Sequence, residues 1–264
     1  MEVLERNGYV VIPCLPAEEL PAWKDRIDQM LMSMPEFKPH TELLPRYVMG
    51  GFSALGNPGS FHNNVMRTLR QISHVRCFND VFRHFLERDR NLKFEQVIDR
   101  FMYRPSGASP SAESWHRDES LYAEDSDTIF GGWLNLDDQD QLFSCVPGTH
   151  TQTSQNKGFA KISDPSRIET FNQTKATVRI PPGHILIFFE RMVHEVVSVK
   201  KRFDMYRLFL GWRLTYSNSS LIEGLEDLLA NQSIIPIKSG QQPPMYSKMH
   251  WNFPRQRDAL ERFS

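Results

Sequence analysis

The sequence predicts a mainly β protein, with an antiparallel two-sheet core buttressed by helices on one side. Short runs rich in β-branched and aromatic residues follow one another closely from Leu92 to Thr215, broken by Pro, Gly and Asp. Helical periodicity, by contrast, is concentrated in the N-terminal third. A chain of 264 residues buries one sizeable core, and no stretch in its middle has linker composition. A single domain over 1–264 is therefore expected, with a core of about 1–216 and a C-terminal extension of about 217–264 that packs on it or caps it.

In chain order, residues 8 to 14 form a β-branched run ended by Pro13 and Pro16. Pro16-Ala17-Glu18-Glu19-Leu20 opens a helix whose apolar positions Leu20, Trp23, Ile27, Met30 and Leu31 share one face, and Pro35 stops it. Residues 35 to 63, punctuated by Pro and Gly, read as a long irregular loop. Residues 64 to 90 read as one or two helices with a stripe of Leu69, Ile72, Val75, Phe78, Val81, Phe82 and Phe85 that should back a sheet. His74 and His84 on it are ordinary helix histidines. Leu92 to Tyr103 turns extended, and 104 to 110 makes a loop.

Thr128 to Leu136 alternates like a half-buried strand, with Ile129, Gly131, Trp133 and Asn135 on one face. Asp137 to Asp140 is a polar turn. The strand Phe143 to Val146 then leads into a Pro147-Gly148-Thr149-His150 turn in which His150 is a structural hydrogen-bonder. Residues 151 to 176 are polar and aperiodic, a surface excursion. Four strands follow at Thr177–Ile180, Ile185–Phe189, Val193–Val199 and Arg207–Thr215. After Tyr216, Leu221, Leu225, Leu228 and Leu229 mark an amphipathic helix, and an aromatic tail from Met245 to Pro254 docks back on the domain or caps a pocket through His250 or Trp251.

Composition narrows the function. Lys plus Arg number 31 against 32 Asp plus Glu, a formal charge of −1, so no global field attracts nucleic acid or an anionic membrane. Cys14, Cys77 and Cys145 are too few and too scattered for a disulfide framework, which points to a reducing compartment. No signal-peptide pattern and no apolar run of spanning length are present, so a soluble, cytoplasmic monomer is expected.

The chemistry centres on Ser114-Trp115-His116-Arg117-Asp118-Glu119. Residues two apart on an extended strand point to the same face, which makes His116 and Asp118 a ready pair of metal ligands. His194 lies in a second strand-like run. Two histidines and a carboxylate hold non-haem Fe(II) on one face and leave the remaining positions open. The flanking text follows in a set order: Phe130-Gly131-Gly132-Trp133-Leu134-Asn135-Leu136-Asp137-Asp138, Ser144-Cys145-Val146-Pro147-Gly148-Thr149-His150, Pro181-Pro182-Gly183-His184-Ile185-Leu186-Ile187-Phe188-Phe189, His194, Arg207. With the opening Asn7-Gly8-Tyr9-Val10-Val11-Ile12-Pro13, this order over about 1–215 resembles the phytanoyl-CoA dioxygenase-like Fe(II)/2-oxoglutarate oxygenases.

That resemblance implies a double-stranded β-helix (jelly roll, cupin-like), with Fe(II) on His116, Asp118 and His194, 2-oxoglutarate as cosubstrate, O₂ as oxidant and ascorbate as a reductant. It places the 35–63 loop at the active-site mouth. The cosubstrate's distal carboxylate falls to an arginine on the strand after the second histidine, where Arg207 stands and Arg213 is the alternative; arginine's fixed fork suits a carboxylate. Family members often carry a serine two residues after that arginine, and this chain has Phe209. Tyr103, Met102 and Trp133 are the expected walls of the cosubstrate pocket. A carboxylate at Asp118 favours hydroxylation, desaturation or oxidative ring closure over halogenation, since related halogenases place a small residue there. The substrate is expected to be a small organic or lipid-like molecule. Peptide or nucleic-acid hydroxylation, a zinc hydrolase or isomerase using Glu119 or Glu195 as base, and an inactive binding barrel stay open as alternatives.

Overall fold

A computed structural model of the protein describes residues 2–32, 48–49, 54–55, 64–104, 106–107, 113–118, 124–152, 160–197, 202 and 204–218. Its helices are α1 (Glu2–Asn7), α2 (Leu20–Met32), α3 (Asn64–Cys77), α4 (Arg83–Arg88) and α5 (Pro165–Thr174). Its strands are β1 (Tyr9–Pro13), β2 (Val48–Met49), β3 (Ala54–Leu55), β4 (Lys93–Arg104), β5 (Glu113–Arg117), β6 (Thr128–Asn135), β7 (Gln141–Cys145), β8 (Ala160–Lys161), β9 (Ala176–Ile180), β10 (His184–Phe189), β11 (His194–Val196) and β12 (Met205–Thr215). They form a seven-stranded sheet in the order β1-β10-β6-β12-β4-β3-β2 and a five-stranded sheet in the order β8-β5-β11-β7-β9, with every pairing antiparallel. The two sheets face each other as a double-stranded β-helix.

Strand parity sorts the side chains of the large sheet into two cores. Phe130, Leu134, Ile185, Ile187, Leu208, Leu210 and Trp212 pack on the helix layer with Ile27, Leu31, Leu69 and Phe82. Trp133, Leu186 and Phe188 point the other way, into the space between sheets, where they meet Phe143, Cys145 and Val178. A sheet covered on both faces reads as a continuous apolar run, which is why 185–189 shows no alternation. The same cover corrects the expectation for β6, which is buried along almost its whole length rather than half-buried. Close approach of β6 to β10 depends on Gly132, where a Cβ would lie 2.0 Å from the Leu186 carbonyl oxygen.

The α2 face is buried as expected at Leu20, Trp23, Ile27, Met30 and Leu31. The expected stripe packs on the core at Leu69, Ile72, Phe78, Val81, Phe82 and Phe85, but Val75 is 37 % exposed and the polar Arg70, Ser73 and His74 are fully buried. Polar residues share that inward face, so an apolar count alone does not find them. Ser73 Oγ donates to the Leu69 carbonyl (2.7 Å), and His74 Nδ1 accepts from Trp212 Nε1 (2.8 Å). A π-helical turn at Phe78–Phe82 joins α3 to α4 and shifts the phase further.

Residues 151–176 contain a helix, α5, in place of the expected irregular excursion. Asp164 caps it by accepting from Ser166 N (3.0 Å), Pro165 opens it, and Phe171 packs edge-on to Trp115. β11 stops at Val196, short of the expected Val199. All three cysteines are free. Among the described residues no helix is long and apolar enough to cross a membrane. Apart from β2 and β3, the 35–63 loop lies outside the described residues, as do the helix expected over 221–229 and the tail with His250 and Trp251.

Candidate metal and cosubstrate site

The metal-ligand candidates converge through strand pairing. β5 and β11 are neighbours in the small sheet with His116 directly opposite His194, and Asp118 follows the end of β5, held by its N–H donating to the Glu190 carbonyl (3.1 Å). His194 Nε2 lies 3.3 Å and His116 Nε2 3.8 Å from Asp118 Oδ2, and the three donor atoms all fall within 4.8 Å of one another. All three residues are buried.

Each imidazole is oriented from behind. His116 Nδ1 sits 2.7 Å from the Ser114 carbonyl, and His194 Nδ1 2.9 Å from the Met192 carbonyl, in both cases two residues upstream. A carbonyl only accepts, so Nδ1 carries the proton and the Nε2 lone pair faces the cluster. This is how ligating histidines are commonly set. Burial, with His194 alongside, pushes the His116 pKa down to about 4 despite the opposing pull of Asp118, so the ring is neutral and ready to ligate at pH 7. Two imidazole nitrogens and one carboxylate oxygen, anchored and converging, fit a divalent first-row metal such as Fe(II). The rings of Phe143 and Phe188 flank His194 at 5.5 and 5.3 Å.

The large sheet places a cation nearby in the same cleft. Arg207 projects into the space between sheets, half-buried, with its guanidinium 4.6 Å over the Trp133 ring. Its Nε donates to Gln141 Oε1 (2.6 Å), the oxygen that also accepts from Trp133 Nε1 (2.8 Å). Gln141 Nε2 in turn donates to Asp137 Oδ2 (2.7 Å) and the Tyr206 carbonyl (3.1 Å). Gln141, 2 % exposed, therefore ties Arg207, Trp133 and Asp137 into one network. Sequence reasoning misses it, although its parity with Phe143 and Cys145 marks it as inward-facing. Burial raises the Asp137 pKa, against the opposing bonds from Tyr206 N and Gln141. The Arg207 pKa falls to about 10 through burial first and the charge of Arg104 second, but the guanidinium stays cationic.

Other candidates fall elsewhere. Arg213 shares the inner face but is fully buried and held by Asp127 Oδ2 (2.7 Å) and Glu95 Oε2 (3.2 Å). Tyr103 is corrected as a pocket wall. It pairs with Tyr206 in the β4–β12 register and packs with it in the helix-side core, its hydroxyl donating to Asp204 Oδ2 (3.0 Å). Met102, one residue earlier, faces the Arg207 side. Glu195 Oε1 accepts from Ser144 Oγ (2.8 Å) and Lys175 Nζ (3.0 Å), so it is no free base for a zinc hydrolase; Glu119 lies outside the described residues. His150 Nε2 lies 2.9 Å from the Glu5 carbonyl and ties α1 to the barrel.

Among solved structures, the carbocyclase SnoK from nogalamycin biosynthesis, named as non-haem and α-ketoglutarate dependent, superposes with a TM-score of 0.55 at 14% identity, over 90% of this chain and 91% of that one. The epimerase SnoN of the same biosynthesis gives 0.55 at 16% over 97% and 93%. EctD from S. alaskensis, crystallised with 2-oxoglutarate and 5-hydroxyectoine, gives 0.51 at 15% over 80% and 73%. At these identities the likeness establishes a shared fold. No curated protein matches the sequence. The family model for phytanoyl-CoA dioxygenase matches residues 4–196, a span that takes in β1 and both strands of the metal-ligand pair. The chain thus belongs to the phytanoyl-CoA dioxygenase family of Fe(II)- and 2-oxoglutarate-dependent oxygenases.

Proposed function

We propose that the protein oxidises a small organic or lipid-like substrate by hydroxylation, desaturation or oxidative ring closure. The observation that carries this is the convergence of His116 Nε2, His194 Nε2 and Asp118 Oδ2 within 4.8 Å, with both rings locked from behind by backbone carbonyls. Bound there, Fe(II) with O₂ and 2-oxoglutarate supplies the oxidising chemistry, and the cosubstrate leaves as succinate and CO₂. The protein's own residues do the rest. His116 and His194 hold the metal as neutral donors. Asp118 supplies the charge that favours a cation, and its carboxylate occupies the place where a halogenase would need room for halide.

Arg207, cationic and steadied by Gln141 and Trp133, pairs with the distal carboxylate of 2-oxoglutarate in a partly dry cleft, where such a pair is stronger than in water. Trp133, Phe143 and Phe188 exclude water from the cleft. Small-molecule ligands in the neighbours support the substrate class: SnoN is crystallised with Fe3+, α-ketoglutarate and nogalamycin RO, and EctD with 5-hydroxyectoine. The three free thiols fit a reducing, cytoplasmic location.

Anaerobic equilibrium titration with Fe(II) tests the metal assignment. One ion per chain is expected for the wild type and none of comparable affinity for His194→Ala. Equal binding by both would remove the site.

A further inference from the structure

Arg104 is the last residue of β4. It is 5 % exposed, yet among the described residues its acceptors are two thioethers, Met205 Sδ at 3.8 Å from Nη1 and Met102 Sδ at 3.7 Å from Nη2, and its Nε has no hydrogen-bond partner there. Sulfur is a weak acceptor, so the guanidinium is buried almost without compensation. The register places Met205 opposite Arg104 and Met102 opposite Arg207, which makes the two arginines diagonal neighbours on the same inward face. Two cations side by side repel, and the charge of Arg104 does depress the Arg207 pKa. The nearby carboxylate, Asp137, is engaged by other donors: Oδ1 accepts from Tyr206 N (2.8 Å) and Oδ2 from Gln141 Nε2 (2.7 Å). Among the described residues neither arginine forms an ion pair. Removing a cation from water without an anion opposes folding, and a methionine would fill the same place without that cost.

We propose that Arg104 and Arg207 together form a two-arginine clamp for one carboxylate, the distal carboxylate of 2-oxoglutarate. This rests on the cosubstrate assignment above and adds a second positioning cation to it. Arg104 is the more buried of the two. The residue two positions after Arg207, Phe209, packs 5.9 Å from Trp133 and offers no hydroxyl to such a carboxylate. The clamp accounts for both unpaired charges with one ligand group.

Calorimetric titration of Mn(II)-loaded full-length protein tests this without turnover, using 2-oxoglutarate and 2-oxobutyrate, which shares the chelating end but lacks the distal carboxylate. Arg104→Met should weaken 2-oxoglutarate by about tenfold or more, about 1.4 kcal/mol, and leave 2-oxobutyrate nearly unchanged. Its thermal midpoint without ligand should equal or exceed that of the wild type, because an uncompensated charge has been removed. Arg104→Lys, which keeps the charge but not the fork, should lose affinity to an intermediate degree and serves where the methionine variant does not fold. Unchanged 2-oxoglutarate affinity in Arg104→Met, beside a loss in Arg207→Met, overturns the clamp and leaves the cosubstrate assignment standing. An equal loss for both acids overturns it too. A wild type that binds no 2-oxoglutarate overturns the assignment itself, and the clamp with it.

Discussion

Gln141→Glu probes the network beneath Arg207 with almost no change in shape. In the wild type, Gln141 Oε1 faces two donors, Trp133 Nε1 at 2.8 Å and Arg207 Nε at 2.6 Å, while its Nε2 faces two acceptors, Asp137 Oδ2 at 2.7 Å and the Tyr206 carbonyl at 3.1 Å. A glutamate keeps the first pair and turns the second into acceptor-on-acceptor contacts. Two buried hydrogen bonds lost, at about 1–3 kcal/mol for each group left unsatisfied, predict a destabilisation of about 2–6 kcal/mol, reduced where one proton is shared between the introduced carboxyl and Asp137.

The sign of the pH dependence follows from that proton. Burial already raises the Asp137 pKa, and a carboxylate neighbour raises it further, so the folded state binds protons that the unfolded state releases. Stability is then greatest at low pH and is lost as pH rises from the ordinary carboxylate value of about 4 through the raised folded pKa, so the variant should unfold at lower urea at pH 8 than at pH 4.5, relative to wild type. The introduced carboxylate also neutralises Arg207, so 2-oxoglutarate affinity should fall by about tenfold, some 1.4 kcal/mol. A variant as stable as wild type at both pH values, with unchanged 2-oxoglutarate affinity, would refute the role given to Gln141.

Two further outcomes are expected. Burial and the neighbouring Arg70 charge hold the His74 pKa down to about 3, so the unfolded state binds the extra proton, and stability should fall as pH drops below about 6.5 by up to about 1.4 kcal/mol per pH unit; in denaturant titrations His74→Gln, which keeps an acceptor for Trp212, should flatten that slope. Gly132→Ala would set a methyl 2.0 Å from the Leu186 carbonyl oxygen and force β6 from β10, costing about 3 kcal/mol or more, readable as a lower thermal midpoint; an unchanged midpoint would contradict the close approach.

Local spacing carries much of the fold and the metal site. His116 and Asp118 declare themselves by strand parity, and the α2 face by its helical period, because both are short-range consequences of backbone geometry. Three features are illegible for definite reasons. The inward face of α3 hides Arg70, Ser73 and His74, whose burial is permitted by partners distant in sequence, such as Trp212. α5 has few apolar residues, and its signal lies in the Asp164-Pro165 cap rather than in periodicity. The different surroundings of Arg207 and Arg213 are set by their partners: both lie on one face of β12, but Asp127 and Glu95 hold Arg213. Tyr103 stands one residue out of register with the pocket wall expected of it, the error that a period of two punishes most.

The most direct test of the proposed chemistry is succinate production from 2-oxoglutarate by the full-length protein, reconstituted anaerobically with Fe(II) and ascorbate and then exposed to O₂, beside Asp118→Ala. Succinate that depends on added iron and disappears in Asp118→Ala is the predicted result. Wild-type protein that makes no more succinate than its metal-free form, or an Asp118→Ala variant that matches it, would contradict the assignment of His116, Asp118 and His194 as the working iron site.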